Sequence, residues 1–381
     1  MNRQELALCD LIGASLFGRQ SEISDDVDFN EILKEARDQA VVALVSVSVP
    51  ENIRQSWRIP IMQSKAHFMR SLYEQTALVS LLNDARIPFV IIKGTAAAVY
   101  YPDPSVRTMG DVDFLVPEEY FDAACSLLCD NGYLPKGDYG DGRDYSFFKG
   151  GILLELHKRF SDEDCDIDGY ILDGIKNAKT LSVCGNDFPA LSQAENGLLL
   201  LYHIRHHIFG GLGLRQIIDF MMFVYSERDE AAFVKNVLPI FEKTGLATLA
   251  KVVTKVCKKY FGLPLEVEWC LSADDATCEE FIETVLSSGN FGRKERYEYR
   301  PMESLTMSVK KNGLFKTLQN AGVENCAAFK NHKWLRPFAW IYQSFRYLKR
   351  GVIAIFRKDK LIKDHAKGQE KADFYKRLGL F

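Results

Sequence analysis

Asp111 and Asp113 stand two residues apart at the entry to an apolar run, Val112, Phe114, Leu115 and Val116. Side chains at i and i+2 of a strand share one face, so both carboxylates point the same way if this run is extended. Glu155 lies among apolar neighbours in Leu153-Leu154-Glu155-Leu156-His157, a pattern that predicts a core strand. A carboxylate there is costly unless it is paired or holds a metal. Three carboxylates converging from neighbouring strands can hold one or two Mg²⁺ or Mn²⁺ ions, oxygen-preferring cations that commonly bridge phosphates. Upstream, Lys93-Gly94-Thr95 ends the apolar run Phe89-Val90-Ile91-Ile92 and opens a short helix. Gly94 permits close backbone approach, Thr95 offers a hydroxyl and the helix start offers free N–H groups, which suits a phosphate tail. A glycine bend, an Asp-x-Asp strand and a later strand carboxylate are what metal-assisted nucleotidyl transfer from an NTP requires.

These groups need a sheet to position them. The chain up to about residue 80 reads mostly as helix, with apolar residues at three- and four-residue spacing over 31–44 and 62–82 and Pro50 and Pro60 between. Strands are expected at 89–92 and 112–116, then a helix from Pro117 to about 131. A loop over 136–144 leads to a hairpin of 145–149 and 152–160 around Gly150-Gly151. This order predicts a mixed sheet with helices on one face. A turn-rich segment ending near Pro189 precedes helical periodicity at 193–208, 214–225, 231–243, 246–261 and 276–287. The fold class expected is α+β. A small mixed β-sheet core (81–188) lies between an N-terminal helical region (1–80) and a C-terminal helical domain (189–328), followed by a basic, aromatic-rich helical tail (329–381).

The motifs Lys93-Gly94-Thr95, Tyr101-Pro102, Arg107, Asp111 to Val116 and Glu155-Leu156-His157 resemble the uncharacterised nucleotidyltransferase family of bacteria, within the polymerase-beta-like nucleotidyltransferase superfamily. His203, the stretch Leu214 to Phe220 and Gly289-Asn290-Phe291-Gly292-Arg293 are similar to it as well. The resemblance implies that Asp111, Asp113 and Glu155 are the catalytic, metal-holding carboxylates. It also implies that Gly94 and Thr95 form the phosphate turn, and that His203, Arg215 and Asp219 face the cleft from the helical domain. Thr95 stands where the superfamily has Gly or Ser, and Lys158 where an aromatic residue is expected.

Several residues have a second reading. Lys93 suits a triphosphate or a pair with Glu155, and Arg107 a phosphate or a carboxylate. His157 shares the strand face of Glu155 and either orients that carboxylate, contacts substrate or is a satisfied core histidine. Arg215 and Asp219, at i and i+4, are alternatively a helix pair. His203 and His207 have metal-ligand spacing, but no carboxylate lies within that turn, which disfavours zinc. Two rivals remain for the whole protein: a DxD glycosyltransferase, and a non-catalytic nucleotide-binding or partner-binding module on the same fold. The acceptor is open among small molecules, saccharides, proteins and RNA.

Composition narrows the setting. The 381 residues carry a net charge of −3, which gives no overall pull toward nucleic acid. Residues 330–381 hold 14 Lys and Arg against four Asp and Glu, a net of +10 that leaves −13 on the rest. Aromatic residues interleave with those cations, so the tail suits an anionic membrane surface or another polyanion, or packs on the body as an amphipathic helix. No run is long and apolar enough to span a membrane, the first residues show no apolar signal core, and the nine Cys include no CxxC pair. A cytoplasmic bacterial protein with reduced thiols is expected.

Overall fold

Seven strands form one sheet among the described residues: β1 (Val90–Ile92), β2 (Val112–Leu115), β3 (Leu134–Lys136), β4 (Asp144–Lys149), β5 (Ile152–His157), β6 (Lys179–Val183) and β7 (Asn186–Ala190). Their order is β3-β4-β5-β2-β1-β7-β6. The structure is a computed structural model. It describes the chain apart from residues 25, 137–142, 162–164, 293, 295–300 and 355–357, and apart from the side chains of 301–302, 330, 348–354 and 358–363. Most of the expected 136–144 loop, and Arg293, therefore lie outside the described residues. The chain divides into two compact units, Met1–Arg296 and Tyr297–Phe381.

The sheet is mixed, as the α+β reading requires. β2 runs antiparallel to β1 and parallel to β5, while β1 runs parallel to β7. Alternation along the strands divides the faces. Val112, Phe114, Leu154 and Leu156 point into a core with Phe68, Leu72 and Leu82 of the helix Arg58–Asp84 and Ala124 and Leu128 of the helix Phe121–Asp130. The residues between them, Asp113, Glu155 and His157, face the other side. There they meet residues of the helices Gln193–His207 and Leu214–Ser226.

Four expected boundaries are corrected. The segment read as turns ending near Pro189 contains the hairpin β6–β7, bent at Cys184 (φ 50°) and Gly185 (φ 78°). Most of β6 is exposed, so it lacks the apolar alternation that marks a half-buried strand. Pro60 does not separate helices. It lies in the first turn of Arg58–Asp84, where its missing N–H costs no helical hydrogen bond. The periodic stretches 31–44 and 231–243 are each two helices, Phe29–Asp38 with Val42–Val45 and Glu230–Asn236 with Leu238–Lys243. Ala40, at φ 57°, makes the first break.

The unit Tyr297–Phe381 contains the helices Pro301–Asn312, Leu314–Glu324, Ala327–Asn331, Ala339–Ala354 and Lys358–Arg377, with a 3₁₀ turn at Lys333–Phe338. Pro301–Asn312 packs on Lys358–Arg377, and Leu314–Glu324 on Ala339–Ala354. Gly322 makes the second contact possible, because a Cβ there would sit 2.1 Å from the Ala339 carbonyl oxygen. Among the described residues no helix is long and apolar enough to cross a membrane.

Candidate active site

The β4–β5 hairpin sets the third carboxylate in place. Gly150 (φ 59°) and Gly151 (φ 82°) supply the left-handed conformations that a two-residue turn needs. Gly150 abuts the helix Arg58–Asp84, where a Cβ would fall 1.9 Å from Glu74 Oε1. The resulting register puts Glu155 beside Asp113 across the parallel β2–β5 pair, with His157 one pleat further along beside Leu115. Asp113 Oδ1 accepts from Lys93 Nζ at 2.7 Å and lies 2.9 Å from His157 Nε2. An ionised carboxylate only accepts, so the His157 proton in that contact sits on Nε2. His157 Nε2 is also 3.7 Å from Glu155 Oε2. Ligand atoms of Asp113, Glu155 and His157 lie within 4.8 Å of one another, a set that could hold a metal ion. His157 thus stands in the converging group where the sequence pattern placed Asp111. Asp111 lines the same cavity.

Electrostatics set these carboxylates apart. Burial, with the charges of Asp111 and Asp113 behind it, pushes the Glu155 carboxyl up to about 8. Asp111 is raised by burial and by Asp113. Burial would also raise Asp113, but Lys93 and His157 overcome it and hold the group well below the usual carboxylate range. Burial opposes the charge on Lys93, yet Asp113 and Asp111 raise its pKa. Its backbone is held at φ 51°, ψ −129°, a region that side chains other than glycine rarely enter. Lys93 is paired with Asp113, not with Glu155.

The cavity, about 320 Å³, is lined by Gly94, Arg107, His203 and Arg215 as well as by the acidic cluster. Gly110 gives Arg215 room, since a Cβ there would lie 3.3 Å from its Nη1. Arg215 donates to the Thr108 carbonyl and lies over the Phe291 ring. Burial, reinforced by His207 and Lys93, holds His203 well below the usual histidine range, so it presents a neutral ring. Two residues differ from expectation. Thr95 is fully buried and donates its hydroxyl to Gln75 Oε1 at 2.6 Å, away from the cavity. Asp219 is also buried: its two oxygens accept from Arg107 Nε and Nη2, both at 2.7 Å, and Oδ1 also accepts from the Tyr101 hydroxyl. Arg107 therefore resolves as a carboxylate partner, and Asp219 pairs across 112 positions instead of with Arg215 on its own helix.

Sequence reasoning passed over Asp144, Phe160 and Tyr202 in the wall. Asp144 was legible, because counting back from Gly150-Gly151 sets it opposite His157, and its Oδ2 lies 4.0 Å from Nδ1. Phe160 was not. Its ring lies against His157 and under the Lys93 ammonium, and its carbonyl accepts from the Tyr202 hydroxyl at 2.6 Å.

A mixed sheet with paired strand carboxylates opposite its core, a glycine bend beside them and helices as the far wall is the design of a nucleotidyltransferase core. The family described as uncharacterised nucleotidyltransferase matches residues 25–262, and the chain belongs to it. Among solved structures, the antibiotic-resistance factor ANT(2'')-Ia is similar at 13% identity and a TM-score of 0.34, over 45% of this chain and 92% of that one. No curated protein matches.

Proposed function

We propose that this protein moves a nucleoside monophosphate from an NTP to an acceptor hydroxyl and releases pyrophosphate, with Asp111, Asp113 and Glu155 holding Mg²⁺ or Mn²⁺. One observation carries the reading: three carboxylates line one cavity, and Glu155 is pushed up to about 8 by burial and by its two acidic neighbours. Such crowding is relieved by a divalent cation, and carboxylate oxygens are the donors that Mg²⁺ and Mn²⁺ prefer. The bound ion supplies charge compensation on the phosphates and acidity to the acceptor hydroxyl.

The chain's own groups do the rest. Lys93 and Arg215 bring positive charge to the phosphates, and Gly94 leaves the wall open beside them. Arg107 lines the cavity with its charge answered by Asp219, so this pair positions the wall. His157 orients Asp113 through their hydrogen bond. Neutral His203 offers a hydrogen-bonding ring to the nucleoside. Glu155 either shares in holding the ion or instead accepts the hydroxyl proton as general base. As that proton leaves, the acceptor oxygen bonds to the α-phosphorus and the bond to pyrophosphate breaks. The test is pyrophosphate release from each of the common NTPs, with and without Mg²⁺. Asp113→Asn is expected to abolish Mg²⁺-dependent release while circular dichroism stays that of the wild type. Unchanged turnover in this variant overturns the assignment.

A further inference from the structure

Amphipathic helices in folded proteins turn their apolar stripe toward a neighbour. The helix Ala339–Ala354 does the reverse over its described part. Ala339 and Gln343 are its buried side, with Ala339 against Gly322. Phe338, the last residue of the preceding 3₁₀ turn, and Ile341, Tyr342 and Phe345 of the helix follow i, i+3, i+4, i+7 spacing, and all four are exposed, Phe345 at 69%. Nearby in the chain Trp334 is 73% exposed. Phe315, next to exposed Leu314, meets the Trp340 ring at 5.7 Å and is itself 63% exposed. The charge is one-sided: residues 325–358 hold eight Lys and Arg and no Asp or Glu.

We propose that this face lies on the surface of an anionic phospholipid bilayer. Aromatic and aliphatic side chains enter the boundary between headgroups and acyl chains, while the neighbouring cations meet lipid phosphates. An apolar stripe in a stretch of sequence whose charged residues are all Lys and Arg is complementary to that surface in both respects. Trp and Phe are side chains that settle at such a boundary. Leu314 and Ile341 favour lipid over single-stranded nucleic acid, whose bases stack on aromatic rings and draw little from aliphatic groups. The proposal goes beyond the transferase reading and does not rest on it.

The test sediments the full chain with vesicles of phosphatidylcholine alone or mixed with phosphatidylglycerol. Binding to the mixed vesicles, weakened by added salt, is expected, with little binding to phosphatidylcholine alone. The double variant Trp334→Ala/Phe345→Ala removes two exposed rings and so leaves the fold in place. It is expected to weaken vesicle binding by about tenfold or more. Failure to sediment with anionic vesicles overturns the proposal, as does wild-type binding by the double variant. Tighter binding to polyuridylate than to the vesicles assigns the face to nucleic acid and overturns it too. A dimer in sedimentation velocity that the double variant abolishes assigns the face to a second copy, with the same consequence.

Discussion

Asp113 and Asp219 are both buried aspartates bonded to a cation, yet they belong to different kinds of place. Asp219 is complete: Arg107 grips both its oxygens and the Tyr101 hydroxyl adds a third bond. At Asp113 both bonds fall on Oδ1, and two further carboxylates stand near enough to be raised by it. A carboxylate with both oxygens gripped by a buried counter-charge is framework. One that helps to raise both its acidic neighbours, Glu155 up to about 8, is a site waiting for positive charge. Burial alone does not separate the two; what the surrounding charges do to one another does.

The contrast can be broken most forcefully at Asp113. Asp113→Asn should lower pyrophosphate release by about 10³-fold, the scale of losing a preorganised electrostatic group, while its circular dichroism stays that of the folded wild type. Asp219→Ala should invert that pattern. It leaves the Arg107 guanidinium buried without a counter-charge, which costs about 3–5 kcal/mol, readable in urea melts. Arg107→Met/Asp219→Leu should recover most of that loss; if the single variant melts like the wild type, Asp219 is not framework. The third effect is a slope with pH. Between its ordinary 4.5 and about 8, Glu155 keeps a proton in the folded state that the unfolded chain has released. Metal-free protein should therefore lose stability as pH rises through that window. Asp113, held low, acts only in acid: its contribution is present above the ordinary aspartate range and fades below it. Glu155→Gln should flatten the neutral slope, and urea midpoints across the window check it. The smallest effect belongs to Thr95. Thr95→Val strands the Gln75 side-chain oxygen and should cost about 1–2 kcal/mol with turnover unchanged; a fall in turnover at unchanged stability would return the hydroxyl to the phosphates.

Legibility followed distance along the chain. Strands β1, β2, β4 and β5 were readable because apolar runs and a glycine pair mark them, and the parity of 111, 113, 155 and 157 carried the acidic face with them. The β6–β7 hairpin was not, because its first strand is exposed and Pro189 imitates a terminator. Arg107 and Asp219 each looked ready for a ligand, and only the folding of one helix over a distant loop makes them partners. The Thr95 hydroxyl could have turned either way; its burial beside Gln75 is a fact of packing that no local pattern encodes.

The Gly150 bend, lodged against Glu74, makes the chemistry of this cavity a question of odd and even. Gaining one residue between that bend and Glu155 would present Leu154 and Leu156 where acid and imidazole now stand, and turn Glu155 and His157 toward the oily layer beneath. A chain altered there would fold poorly and react not at all, so this short hairpin should tolerate exchanges of side chain far better than changes of length.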